Sequence, residues 1–433
     1  MNTSAILEPQ GRSDFAAATR TSLIPGRHAC VLAHRWAGLT IALFLIVAGV
    51  TGSVLPFEQE LTFLSRSDVA YVHPSYRGAR PLDGIAIAER VERSTGGVVS
   101  YVPLAVSAKR VDRMYVAARP GRPPLPFNMV WADPYTGAVK LTYTWGGLRD
   151  GRVNIVPFLF SLHYGLVAGA WGTWAFGISG LIWTIDCFVG FYLTLPSGGG
   201  TNRQRGTPRL LWAKRWGAAW KVRRHARGHR LNFDLHRASG LWLWPLLLVF
   251  AWSSVGLLLP SVEQPVMRAF GATVGYVPPA ERRPLVRPRV GLRQAVTTGE
   301  RALIRTGRHD GFTLLALETV SYDAGSGTYR LDARTTLDRG AAIGSTSVWV
   351  DARNGALLHL DRPFGRTWAD AVRHLLVLLH FAEIIGLPYR IFVSVLGLAV
   401  AMLSATGVLI WTKKRSARVL SRGRRAGPVT SPR

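Results

Sequence analysis

The sequence predicts a membrane α-helical bundle of four spans, built as two tandem pseudo-symmetric halves and carrying two external α+β domains. Three observations lead there: four stretches long and apolar enough to cross a bilayer, basic residues sorted by segment, and landmarks that recur in the same order. Composition excludes the main alternatives. With 433 residues, 48% of them hydrophobic and 18% charged, the chain is too apolar for a soluble enzyme and too long for one core. Its mean hydropathy is +0.15. Two cysteines, Cys30 and Cys187, exclude a disulfide scaffold and any thiolate-based zinc or iron–sulfur centre.

Taken in order, residues 1–35 form a basic cytoplasmic tail and 36–57 the first span. That span runs too long for a signal-peptide core, and roughly 35 residues precede it. Residues 58–155 form the first external domain, and 156–195 an interfacial helix followed by the second span. Residues 196–237 form a basic cytoplasmic loop, 238–260 the third span and 261–373 the second external domain. Residues 374–412 repeat the interfacial helix and span, and 413–433 form a basic tail. Orientation follows from charge: 1–35 holds 4 Lys/Arg and 2 acids, 196–237 holds 11 and 1, and 412–433 holds 8 and none. These segments therefore face the cytoplasm. Within the formal +28, topology and attraction to anionic lipid replace nucleic-acid binding as the reading. Residues 58–152 and 261–373 carry a smaller excess, 13 and 16 Lys/Arg against 9 and 11 acids, which suits an anionic ligand or partner outside.

The repeat is explicit. His34-Arg35 followed by Gly38-Leu39 recurs as His236-Arg237 followed by Gly240-Leu241. Val130-Trp131-Ala132-Asp133 through Gly137-Ala138 recurs as Val348-Trp349-Val350-Asp351 through Gly355-Ala356. Leu162-His163 with Gly169 recurs as Leu379-His380 with Gly386, and Gly180 and Gly190 fall on Gly397 and Gly407. Parallel repeats of this kind are related by an axis along the membrane normal. Each external segment opens with a helical pattern, 85–93 or 292–306, and continues with alternating strand patterns such as 113–118 and 328–333. Asp133 and Asp351 begin Asp-x-x-x-Gly hairpin turns, a structural role.

Of 11 histidines, His34, His163, His236 and His380 sit at repeated positions near the ends of apolar segments. Spans one and three run in the same direction, so His34 and His236 share a depth near the cytoplasmic face; His163 and His380 share one near the external face. Two imidazoles from different helices at one depth are what a six-coordinate haem iron requires. Zinc would want more donors than the nearby acids, Asp234 and Glu383, supply. Glycines near the histidines, among them Gly38, Gly49, Gly52, Gly165, Gly169, Gly172 and Gly240, leave room for a flat macrocycle, though close helix packing also uses them. The apolar stretches 156–195 and 375–411 are too long for one crossing, so breaks are expected at 169–172 and 386–388.

Arg35 and Arg237 are candidate partners for haem propionates and also the expected topogenic residues. Asp186, with Thr184, is an intramembrane ionisable candidate. His374 is a reserve ligand, while His28, His73, His225, His229, His309 and His359 read as solvated or structural. The tryptophans at span ends form an interfacial belt. Nucleotide-binding glycine motifs, a Walker loop, His-Glu-x-x-His and Gly-x-Ser-x-Gly do not occur, and the cytoplasmic segments are too short for a nicotinamide or flavin domain. Electrons would come from a membrane quinol or a cytoplasmic protein donor.

From about His34 to Lys414 the sequence resembles the PepSY-associated transmembrane proteins, the bacterial iron-regulated inner-membrane group that includes ferric-siderophore reductases. The resemblance rests on His34-Arg35-Trp36-x-Gly38, Asp133-Pro134-Tyr135-Thr136-Gly137, Leu235-His236-Arg237-x-x-Gly240-Leu241-Trp242, and Leu379-His380 leading through Gly386-Leu387-Pro388 to Thr406-Gly407 and Trp411. The second external repeat departs from it, reading Asp351-Ala352-Arg353-Asn354-Gly355. The resemblance implies PepSY-like periplasmic domains on four spans, b-type haem held by histidine, and reduction of ferric-siderophore or other ferric chelates in the periplasm to release Fe(II). The expectation is an inner-membrane oxidoreductase of iron uptake with two haems b and both termini cytoplasmic. Two alternatives stand beside it: a non-enzymatic anchor regulating a periplasmic protease, and a transporter whose histidines relay protons or bind metal.

Overall fold

A computed structural model describes residues 26–74, 76–119, 121–196, 209–273, 275–281, 283–285, 287–338, 346–362, 364 and 367–425. Most of the expected N-terminal tail, the loop portion 197–208 and the end of the C-terminal tail lie outside the described residues.

The chain opens with α1 (Arg27–Gly52), followed by short α2 (Glu58–Ser65) and α3 (Ser67–Ala70). Amphipathic α4 (Gly84–Thr95) is started by Asp83, whose carboxylate accepts the Ala86 N–H at 2.8 Å, and stopped by Gly96 at φ +70°. A meander follows: β1 (Val98–Pro103), β2 (Asp112–Ala117), β3 (Met129–Ala132) and β4 (Val139–Tyr143). Next come α5 (Ile155–Gly165), α6 (Gly169–Thr194), α7 (Arg209–Gly217), α8 (Gly228–Trp242), α9 (Trp244–Leu258) and α10 (Pro260–Ala269). Amphipathic α11 (Leu292–Asp310) leads into a second meander: β5 (Leu314–Asp323), β6 (Thr328–Thr335), β7 (Thr346–Asp351) and β8 (Leu357–Asp361). The chain closes with α12 (Trp368–His380) and α13 (Leu387–Arg425).

Among the described residues, three helical stretches are long and apolar enough to cross a membrane: Arg27–Ser65, Gly169–Thr194 and Leu387–Ala417. The expected third span, 238–260, is not one straight helix. Instead α8 and α9 meet at 71°, because Pro245 in the first turn of α9 has no N–H to give the Leu241 carbonyl and its ring crowds that position. Where α1 passes α13 the two backbones touch: a Cβ on Gly49 would lie 2.5 Å from the Gly397 carbonyl oxygen, and the reverse contact is 2.6 Å. Only glycine permits that approach.

The two polar segments expected outside the membrane do not fold as two separate modules. Their strands form one eight-stranded sheet in the order β4-β3-β2-β1-β5-β6-β7-β8, with every neighbouring pair antiparallel. The join is β1 against β5, where Val102 faces Val320. Both are buried in one apolar core with Val91 of α4, Leu303 of α11 and Leu331 of β6. Pairing these edges satisfies backbone groups that separate modules would leave open. On the opposite face Phe63 of α2 meets Trp131 of β3 at 5.4 Å, and Glu58 of α2 bridges Arg113 of β2 at 2.7 Å. The sheet thus sits at the C-terminal end of α1. Asp133 closes its turn by accepting the N–H groups of Tyr135 and Thr136, with Gly137 at φ +67°; Asp351 and Gly355 (φ +76°) do the same around Arg353.

Candidate functional site

The four repeated histidines meet in two pairs. His34 of α1 faces His236 of α8 with ring centres 6.2 Å apart, and His163 of α5 faces His380 of α12 at 6.4 Å. Thr51, which touches His163, lies seventeen residues beyond His34 on α1, so the pairs are separated by about 25 Å along that helix. The sheet-side pair lines a cavity of about 370 Å³, and the sheet-distal pair one of about 550 Å³. Both volumes are in the range of small-molecule and cofactor sites.

Each ring is fixed through the same nitrogen. His34 Nδ1 is 2.8 Å from Asp186 Oδ1, and His236 Nδ1 is 3.0 Å from the Leu403 carbonyl and 3.2 Å from Thr406 Oγ1. His163 Nδ1 is 3.0 Å from Thr51 Oγ1, and His380 Nδ1 is 2.8 Å from Ser253 Oγ. A carboxylate and a carbonyl only accept, while the hydroxyls of Thr51, Ser253 and Thr406 already donate to the carbonyls of Val47, Phe250 and Leu403. In all four rings Nδ1–H is therefore the donor. Nε2 keeps its lone pair, the tautomer that metal-ligating histidines adopt.

Small residues and strained loops complete the arrangement. A Cβ on Gly52, Gly190 or Gly407 would lie 2.9, 3.3 or 3.2 Å from Cε1 of His163, His34 or His236 respectively. Among the described residues, the non-glycine positions with positive φ are Leu166, Val167, Ala382 and Ile385, at 51°, 57°, 58° and 61°. Leu166 and Val167 follow α5, and Ala382 and Ile385 lie in the loop between α12 and α13. For β-branched Val167 and Ile385, both exposed, this is a costly conformation.

The remaining sequence candidates are placed as follows. Arg35 and Arg237 both line the sheet-distal cavity. Arg237 donates to the carbonyls of Ala218, Ala219 and Lys221 and bridges Asp234, whereas Arg35 makes no hydrogen bond or ion pair among the described residues. Asp234 is buried between Arg223 and Arg237. Reserve ligand His374 lines neither cavity; its ring edge meets Phe364 at 4.9 Å and its buried Nε2 has no hydrogen-bond partner among the described residues. Sequence reasoning missed Thr51, Ser253 and Thr406 and left the role of Asp186 open. One signal was available: Thr51 and Ser253 each stand seventeen residues after a repeated His-Arg.

The spacing suits a metal between the rings. Metal–imidazole bonds of about 2.0–2.1 Å, with each ring nitrogen about 1.2 Å from its ring centre, put the centres of two opposed rings about 6.4 Å apart. A family model of the PepSY-associated TM region matches residues 31–414. The chain belongs to that family. Both histidine pairs and the whole sheet of this PepSY-associated protein lie within the match, and with its apolar helices the chain is a membrane protein. No curated protein matches it.

Proposed function

We propose that this PepSY-associated protein is a di-haem b-type electron-transfer protein of the bacterial inner membrane that reduces ferric-siderophore or other ferric chelates on the periplasmic side, releasing Fe(II). The observation that carries the reading is two pairs of imidazoles at opposite ends of one bundle, each ring anchored through Nδ1 and each pair at the spacing of a bis-histidine metal site. His34 and His236 would hold one haem near the cytoplasmic face, and His163 and His380 the other near the periplasmic face. When bound, haem supplies one-electron Fe(III)/Fe(II) chemistry.

The protein's own groups do the rest. The Asp186 carboxylate, on His34 Nδ1–H, makes that imidazole a stronger donor than the three held by neutral oxygens. Arg35, at the wall of the larger cavity, offers its guanidinium to a propionate. Thr51 and Ser253 set the rotation of the sheet-side rings. The matching offsets of Thr51 and Ser253 support descent from a duplicated half, and the basic segments support cytoplasmic termini. The electron source is a membrane quinol or a cytoplasmic protein, and the ferric chelate docks on the periplasmic side beside His163 and His380.

The test is a reduced-minus-oxidised absorption spectrum with pyridine haemochrome stoichiometry on detergent-purified protein, beside His34→Ala and His380→Ala. About two low-spin b haems per chain, one lost in each variant, are expected; steady reduction of a ferric chelate by the reduced protein completes the assignment. A colourless protein after expression with ample haem overturns it.

A further inference from the structure

Leu45, Trp183 and Leu247 line both cavities, and Trp183 is the aromatic among these three. It lies on a single stripe of α6 that runs between them. Gly180 borders the sheet-side cavity, Trp183 borders both, and Asp186, Cys187 and Gly190 border the sheet-distal one. These positions recur at three- and four-residue steps, so they share one helix face. Around the indole, Cys187, Leu247, Ala251 and Val400 form an apolar cluster against which Trp183 packs. The other aromatics that line the cavities, such as Phe44, Phe176 and Phe250 on one side and Phe191 and Trp244 on the other, each border one cavity alone.

We infer that Trp183 is the electronic bridge between the two histidine pairs, a positioning and coupling residue whose role rests on the di-haem reading above. Its π system is the polarisable matter in the wall that both chambers share. The step it serves is a single electron transfer. With haem bound at both sites, one electron would pass from the group that His34 and His236 would hold to the one that His163 and His380 would hold, oxidising the first and reducing the second, while the indole would gain and lose none. No bond is made or broken, and no proton moves.

The experiment uses the full-length, haem-loaded protein in liposomes, reduced with dithionite, freed of excess reductant and mixed with external ferric EDTA while haem absorbance is followed. Wild type should show a first phase, oxidation of the sheet-side haem, and a second as the sheet-distal haem refills it. Trp183→Leu should slow the second phase by on the order of tenfold or more, leaving the first phase, haem content and midpoint potentials unchanged. Trp183→Phe should restore much of the rate. Trp183→Met, apolar and adaptable, serves if the leucine variant loses haem. An unchanged second phase in either fully loaded variant overturns the proposal. So does retention of both haems by phenylalanine alone, which would make the ring a structural partition. Absence of haem absorbance in the wild type before mixing would instead overturn the di-haem reading itself.

Discussion

Thr51 accepts the Nδ1 proton of His163 across 3.0 Å while giving its own hydroxyl proton to the Val47 carbonyl at 2.6 Å. The hydroxyl is thus committed in both directions, and it fixes the tautomer and rotation of a ring 112 residues away in sequence. Ser253 repeats the arrangement with His380 and Phe250. Thr51→Val keeps the shape and removes the acceptor. Haem retention at the sheet-side site should weaken by roughly 10–100-fold, measured by haem transfer to apomyoglobin. The sheet-distal site should keep its haem.

The ring pairs cross between the two halves of the chain, and this gives a test of ligand assignment. His34→Ala combined with His236→Ala should remove one haem, the same one that either single change removes. His34→Ala combined with His163→Ala should remove both. Haemochrome stoichiometry of the four proteins distinguishes these pairings from any within one half.

Among the described residues, Asp186 is the one carboxylate hydrogen-bonded to a ligand-candidate ring. Asp186→Asn preserves a side-chain oxygen but removes the negative charge that favours the ferric state. The midpoint potential of the sheet-distal haem should rise on the order of tens of millivolts, with the other haem unmoved. Spectroelectrochemical titration reads both potentials.

A methyl group at Gly52 would stand 2.9 Å from His163 Cε1, whereas one at Gly217 meets nothing within 4 Å. Gly52→Ala should displace the imidazole and lower loading of the sheet-side site. Gly217→Ala should load both sites as wild type does. The ratio of haem to protein after purification checks this.

Asp112 in β2 is buried, its Oδ2 lacks a hydrogen-bond partner among the described residues, and burial pushes its carboxyl up to about 7 from the usual 3.8. Between those two values the folded protein holds a proton that the unfolded chain has released. Stability therefore falls as pH rises through that window, by about 1.4 kcal/mol per pH unit from this group, and levels off above about 7. Asp112→Asn, neutral at every pH, should melt at nearly the same temperature at pH 5 and pH 8 as far as this site is concerned. The wild type should lose stability between them, as intrinsic tryptophan fluorescence melting would show.

Much of the molecule was legible in the chain. Span length and hydropathy marked the apolar helices, and the Asp-x-x-x-Gly turns announced their strands because both depend on residues close in sequence. The four histidines were visible because a repeat sets its own register. Other features depended on long-range packing. The bend before α9 required a local proline to be weighed against a long apolar run. The single eight-stranded sheet required two edges, β1 and β5, to meet across more than two hundred residues. The separation of the rings, the acceptor on each Nδ1 and the indole between the cavities were set by helices crossing at bare glycine contacts such as Gly49 and Gly397. The sequence alone determined which histidines recur in register and which stretches are apolar, since those follow from local pattern. Only the tertiary structure decided which nitrogen of each ring is left free, because that depends on which oxygen another helix brings within 3 Å.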